Sequence, residues 1–191
     1  MEKLKSDQKK LRISYHEIGH AVMALYCRQA IQKISLKEID SPSGEDKYLG
    51  HMKLASSDPK EILTVDKAIQ NVMISLGGFV GEVLFFDDVP GIPVDDLDRA
   101  IKYTESLLKI EAFKEHVAKM PIPELDALPK ATDPLVRAFI DSKVHHCVEV
   151  LSQVKPIIQM LVQELLKKEE LTGDEIASIF NSFAPSNLHR N

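Results

Sequence analysis

The sequence has no tryptophan, only two cysteines (Cys27 and Cys147) and only 6% aromatic residues. Two cysteines in a chain of 191 residues do not make a disulfide framework. They point to an intracellular, cytoplasmic protein with both thiols reduced and packed. Positive charge is not in excess either. There are 24 Lys and Arg against 29 Asp and Glu, a formal net charge of -5. Nothing in that balance favours nucleic acid or an anionic membrane surface as a partner. No apolar run approaches the roughly 20 residues that span a bilayer. Met1 to Arg12 is basic and polar with no apolar stretch behind it, so it does not read as a signal peptide. The 191 residues contain no G-x-x-x-x-G-K-[ST], hence no ATP site of that kind, and no internal repeat or low-complexity segment.

What is present is enough apolar content, 44%, for a real core, arranged mostly at helical spacing. Leu11, Tyr15, Ile18, Val22 and Leu25 recur every three or four residues, which predicts a helix from about Asp7 to Gln29, capped by Ser6 or Asp7. Ile31 to Ile39 and Tyr48 to Leu54 read as two strands around the turn chemistry of Ser41-Pro42-Ser43-Gly44. Thr64 to Phe86 is apolar over so broad a face that it predicts a helix buried on most sides. A loop over Asp87 to Pro93 leads to a third helix from near Asp95 to about Lys119, and a proline-punctuated loop follows to Asp133. Asp133-Pro134 is a start signal for a fourth helix, which Pro156 ends or kinks near Gln153. A fifth segment runs to about Glu170, and Thr172-Gly173-Asp174-Glu175 is a capping box that opens a last short helix. The expectation is a mainly α fold with a small sheet of two or three strands near the N-terminal half. It forms one domain over residues 1–183, with a flexible tail over 184–191.

Chemistry concentrates at His16-Glu17-Ile18-Gly19-His20, an H-E-x-x-H motif inside the first helix. Residues four apart share a helix face, so both imidazoles reach one metal ion. Glu17, rotated away from both, can take a proton from water on the metal's open side. Gly19 leaves room for another segment to approach closely. The third protein ligand that such a site needs has several candidates: Glu82 on the second helix, Asp95, Asp96 and Asp98 at the start of the third, and His51 on the second strand. Pattern alone does not choose between Glu82 and the aspartates. Gly77, Gly78 and Gly81 sit within a helical pattern and read as close helix packing rather than a phosphate loop. His145-His146-Cys147 offers no ligand geometry, since adjacent helical side chains point about 100° apart. His116 and His189 read as solvated.

These blocks, in order, resemble the peptidase domain of the FtsH family of AAA+ zinc proteases, from Tyr15 to Phe180. Tyr15 to Val22 is similar to the family's Y-H-E-A-G-H-A. Ile31 to Ser35 resembles its V-x-K-V-S strand, and Tyr48 to Met52 its A-L-G-x-T strand. Leu76 to Phe85 resembles L-G-G-R-x-A-E-E-x-x-F, Asp95 to Ala100 resembles N-D-L-x-x-A, and Leu171 to Ile176 its closing L-x-G-x-E-I. The resemblance implies Zn2+ held by His16, His20 and Asp96, with Glu17 as the base and Glu82 beside the ligands or as an alternative one. It also implies a substrate cleft edged by Tyr48, Leu49, Gly50, His51 and Met52, a polypeptide substrate, and a ring-forming homo-oligomer. The departures are Pro90-Gly91-Ile92-Pro93-Val94 in place of T-T-G-A, Phe79 for an arginine, Gly81 for an alanine and Val83 for a glutamate, together with the missing ATPase signature and transmembrane segments. Two functions follow as expectations. One is a zinc-dependent endopeptidase acting on unfolded or extended polypeptide without ATP. The other is a non-catalytic metal-binding module that serves assembly or partner binding.

Overall fold

A computed structural model describes residues 2–40, 47–55, 63–88, 92–120 and 133–183. The proposed turn at Ser41 to Gly44, part of the loop around Pro90 and Gly91, most of the loop before Asp133 and the tail over 184–191 lie outside the described residues. The elements run α1 (Glu2–Tyr26), β1 (Ile31–Asp40), β2 (Lys47–Leu54), α2 (Val65–Val83), α3 (Val94–Leu107), α4 (Glu111–Val117), α5 (Pro134–Gln153), α6 (Lys155–Lys168), β3 (Glu170–Thr172) and α7 (Gly173–Phe183). The fold is mainly helical with a small antiparallel sheet of order β2-β1-β3. No helix among the described residues is long and apolar enough to cross a membrane.

The core forms around α1 and α2. Ile18, Val22 and Met23 of α1 and Val72, Leu76 and Val80 of α2 are all buried. From Val72 to Glu82 every residue of α2 is buried, so this stretch of the helix is enclosed on all sides, as its apolar breadth predicts. Such a helix can lie close to its neighbour only where both backbones are bare. A Cβ on Gly19 would stand 2.3 Å from the Gly77 carbonyl oxygen, and one on Gly81 would stand 2.6 Å from the Tyr15 carbonyl oxygen. The glycines are therefore the contact between α1 and α2, and the space at Gly19 is filled by the α2 backbone.

Three boundaries differ from the sequence reading. Helix α1 starts at Glu2, which puts Ser6 and Asp7 inside the helix rather than at its cap. The single third helix is two, α3 and α4, joined by a turn in which the Ile110 amide bonds the Leu107 carbonyl. No glycine or proline marks that break. The change of direction brings Phe113 edge-on to Phe139, with ring centroids 5.2 Å apart. Strand β3 is too short to show a period. Glu169, at φ 59, ends α6 in the left-handed region, and the next three residues pair with Lys33, Ile34 and Ser35 of β1.

The predicted capping box is present. The Glu175 amide lies 3.3 Å from the Thr172 hydroxyl oxygen, and the Thr172 amide donates to the Glu175 carboxylate at 2.8 Å. Lys168, and then Thr172, hold the Glu175 carboxyl down at about 2. Its contribution to stability is thus present above the ordinary glutamate value and is lost as pH falls towards 2. Thr172→Ala is expected to cost about 1 kcal/mol, read as a lowered urea midpoint with an unchanged slope.

Candidate active site

Helix α1 projects His16 and His20 from the same face, one turn apart, with Nε2 atoms 2.9 Å from each other. The third member arrives from α3. Asp96, in the first turn of that helix, places Oδ2 3.1 Å from His16 Nε2 and 3.3 Å from His20 Nε2. The early position on α3 favours the charge, because free amides and the helix dipole stabilise an anion there. His20 and Asp96 are buried, and His16 is nearly so. Three ligands at zinc distances of about 2.0–2.1 Å around a tetrahedral ion stand about 3.3 Å from one another. The observed triangle, with edges of 2.9, 3.1 and 3.3 Å, is close to that size. Two imidazole nitrogens and one carboxylate oxygen also make a donor set that suits a divalent metal with one position left open.

The back of each ring is held as well. Glu82 Oε1 lies 2.9 Å from His16 Nδ1, and Arg12 Nε stands 3.4 Å from the other oxygen of Glu82. His20 Nδ1 lies 2.6 Å from the Ile74 carbonyl oxygen and 3.2 Å from the Gly78 amide. The shorter contact, to an atom that only accepts, sets the proton on Nδ1 and leaves the Nε2 lone pair facing His16 and Asp96. The floor beneath both rings is Gly78. A Cβ there would meet His16 Cε1 and His20 Nε2 at 2.5 Å and His16 Nε2 at 2.6 Å.

Charge in this pocket is strongly perturbed. Burial opposes a charge on His16, yet its hydrogen bonds to Asp96 and Glu82 push its pKa up to about 9. Burial likewise works against the Asp96 carboxylate, but bonds from His16 and His20 hold it well below the ordinary range. Glu17 differs from both. It is buried, and burial raises its pKa above the usual glutamate value, partly offset by the two histidines. Its carboxylate lies beside Gly50, where a Cβ would come within 3.4 Å of Glu17 Oε1.

Of the other sequence candidates, Glu82 touches the far side of His16 rather than the cluster of ligand atoms. Asp95 and Asp98 are exposed and lie outside that cluster, as does His51. His51 is half-buried on β2, and its Nδ1 is enclosed with no hydrogen-bond partner among the described residues. Tyr48, Leu49, Gly50, His51 and Met52 all lie on β2, one of the two edge strands of the sheet. Gly50 adopts φ 91 and packs so tightly on α1 that a Cβ would strike Ile13 at 2.3 Å. His145 pairs with Asp141 at 3.1 Å, and the His146 ring meets the Tyr26 hydroxyl at 3.1 Å. Cys27 and Cys147 are buried, free thiols, and burial raises both pKa values, that of Cys27 to about 12. Arg12, Arg99 and the role of Gly78 were not singled out from sequence. Arg99 had one available signal: it lies three residues after Asp96 on the same helix.

A sequence model of peptidase family M41 matches residues 3–179 of this chain. The chain is 26% identical to an ATP-dependent zinc metalloprotease YME1 homolog of Caenorhabditis elegans, a match covering 88% of this chain and 25% of that protein. It is 23% identical to ATP-dependent zinc metalloprotease FtsH 3 of Petrotoga mobilis (91% of this chain, 29% of that protein). It is 22% identical to the mitochondrial inner membrane m-AAA protease component YTA10 of Saccharomyces cerevisiae (90% and 23%). The chain therefore spans between a fifth and a third of the length of these relatives.

Proposed function

The chain belongs to peptidase family M41, and from that premise we propose that it is a zinc-dependent endopeptidase that cleaves unfolded or extended polypeptide without ATP. The observation that carries the proposal is the triangle of His16 Nε2, His20 Nε2 and Asp96 Oδ2, with Glu17 next in sequence to one of its corners. Those three atoms would hold the zinc. Bound zinc supplies a Lewis acid that polarises a carbonyl oxygen and brings the pKa of water down to about 7. Glu17 takes the proton from the attacking water and passes it to the leaving amine. Its raised pKa makes it a better proton acceptor than an ordinary glutamate. Glu82 and the Ile74 carbonyl fix the two rings so that neither has to be reoriented during turnover.

Substrate is held by the edge of β2. The outer side of β2 pairs with no other strand among the described residues, and such an edge offers N–H and C=O groups to a chain added as a further strand, with little dependence on side-chain identity. This requires an extended chain, which is why folded proteins fall outside the proposed substrate class. Peptide hydrolysis itself needs no nucleotide, and all the groups named come from one copy of this chain. The test is hydrolysis of a dye-labelled unfolded protein by zinc-reconstituted protein without ATP, alongside Glu17→Gln. Cleavage that disappears in the variant supports the reading. No cleavage by a folded, zinc-loaded wild type sinks it in favour of a non-catalytic module.

Zinc uptake has a proton signature. With a pKa of about 9 in the metal-free site, His16 carries a proton at pH 7 that zinc must displace. Below about pH 9 the apparent Kd is expected to rise about tenfold for each unit of pH lost. Titration calorimetry in buffers of different ionisation enthalpy should count about one proton released per zinc at pH 7.

A further inference from the structure

We infer that Arg99 is a positioning residue that restricts Asp96 to ligation through a single oxygen. The inference rests on the zinc reading above. The two oxygens of Asp96 face different partners. Oδ2 points to both imidazole nitrogens, while Oδ1 accepts a hydrogen bond from Arg99 Nη2 at 2.7 Å. The guanidinium has a second anchor, the Asp95 carbonyl oxygen, 3.4 Å from Nε, and it shares the Asp96 helix at a spacing of three. The carboxylate is therefore gripped from within its own helix turn, independently of the packing of α1 on α2.

A carboxylate can bind a metal through one oxygen or both, and the choice sets whether a fourth position stays open. With Oδ1 committed to Arg99, Asp96 has one oxygen to give. Without Arg99 the carboxylate can turn and offer both oxygens, which raises the coordination number and crowds the position that substrate and water need. Arg99 touches none of the three ligand atoms and its side chain is 62% exposed. Its effect therefore falls at the lower end of the 10- to 100-fold expected for a residue that orients a ligand.

The experiment compares wild type, Arg99→Ala and Arg99→Lys. Zinc affinity is measured by competition with a chromogenic chelator, the visible spectrum is recorded with Co2+ in place of zinc, and Tm is measured in excess chelator. Arg99→Ala is expected to weaken zinc about tenfold and to lower the Co2+ band intensity, as a higher coordination number does. Its metal-free Tm is expected to match wild type, and Arg99→Lys should recover part of both metal readouts. A wild type that binds metal, with an Arg99→Ala variant of equal affinity and an unchanged Co2+ spectrum, overturns the role of Arg99 and leaves the zinc reading standing. A wild type that takes up neither metal overturns both.

Discussion

Glu17→Gln is expected to lower kcat about 10²- to 10⁴-fold while zinc stays bound. The substitution keeps the size and the buried position of the side chain and removes only its ability to accept a proton. None of the three atoms of the triangle belongs to Glu17, so zinc content by atomic absorption should equal that of wild type. A second readout separates a lost base from a damaged fold. Burial raises the Glu17 pKa, so its folded form resists the charge that the unfolded chain carries freely at neutral pH. The sign follows from linkage. A group with a raised folded pKa favours the folded state below its unfolded pKa and loses that contribution as pH rises. At pH 7 wild type therefore carries a cost that the neutral glutamine does not. The metal-free variant should melt at or above the wild-type Tm, and the gap should close as pH falls below the ordinary glutamate range. A variant that is inactive but also markedly less stable at pH 7 would mean that Glu17 serves the packing, and the assignment as base would fail.

How much of this was legible beforehand differs from residue to residue. The pairing of His16 with His20 is local, set by helix geometry within one turn, and needs nothing from the rest of the chain. The breadth of α2 and the capping box at Thr172 are local in the same sense. The third member of the triangle is not. Asp96 meets His16 across 80 residues of sequence, and Glu82, Asp95, Asp96, Asp98 and His51 stood as equals by pattern; only the resemblance singled out Asp96. Which of them reaches the imidazoles depends on how α3 sits on α2, a tertiary fact with no periodic signature. The break between α3 and α4 was hidden for a related reason. It follows from the packing of Phe113 on Phe139, with no glycine or proline to announce it. Strand β3 was hidden because three residues are too few to show alternation.

The three helical glycines on α2 read alike in sequence, yet the structure gives them different work, and two alanine substitutions should separate the packing of the fold from the building of the site. At Gly78 the atoms in the way are the tips of two side chains, His16 and His20, at 2.5–2.6 Å. Imidazoles can swing aside by rotation about their own bonds, at a cost far below that of moving a backbone. Gly78→Ala should therefore fold, with Tm in excess chelator lowered by the loss of the ring hydrogen bonds to Glu82 and the Ile74 carbonyl but by less than in Gly19→Ala. It should lose zinc affinity by at least the roughly 100-fold that marks a strongly misoriented ligand, because both rings are displaced together. Activity should fall with it and should not return at pH 8, where proton competition at His16 is weaker. At Gly19 the obstacle is the Gly77 carbonyl oxygen at 2.3 Å, part of a helix backbone that cannot turn away. Gly19→Ala must push α1 off α2 through the middle of the core, and a loss of about 1–3 kcal/mol or more is expected in the metal-free protein. Denaturant titration together with chelator competition on both variants reads the two effects separately. If Gly78→Ala kept wild-type zinc affinity, the rings could not be where the triangle needs them, and the metal site built on His16, His20 and Asp96 would be wrong.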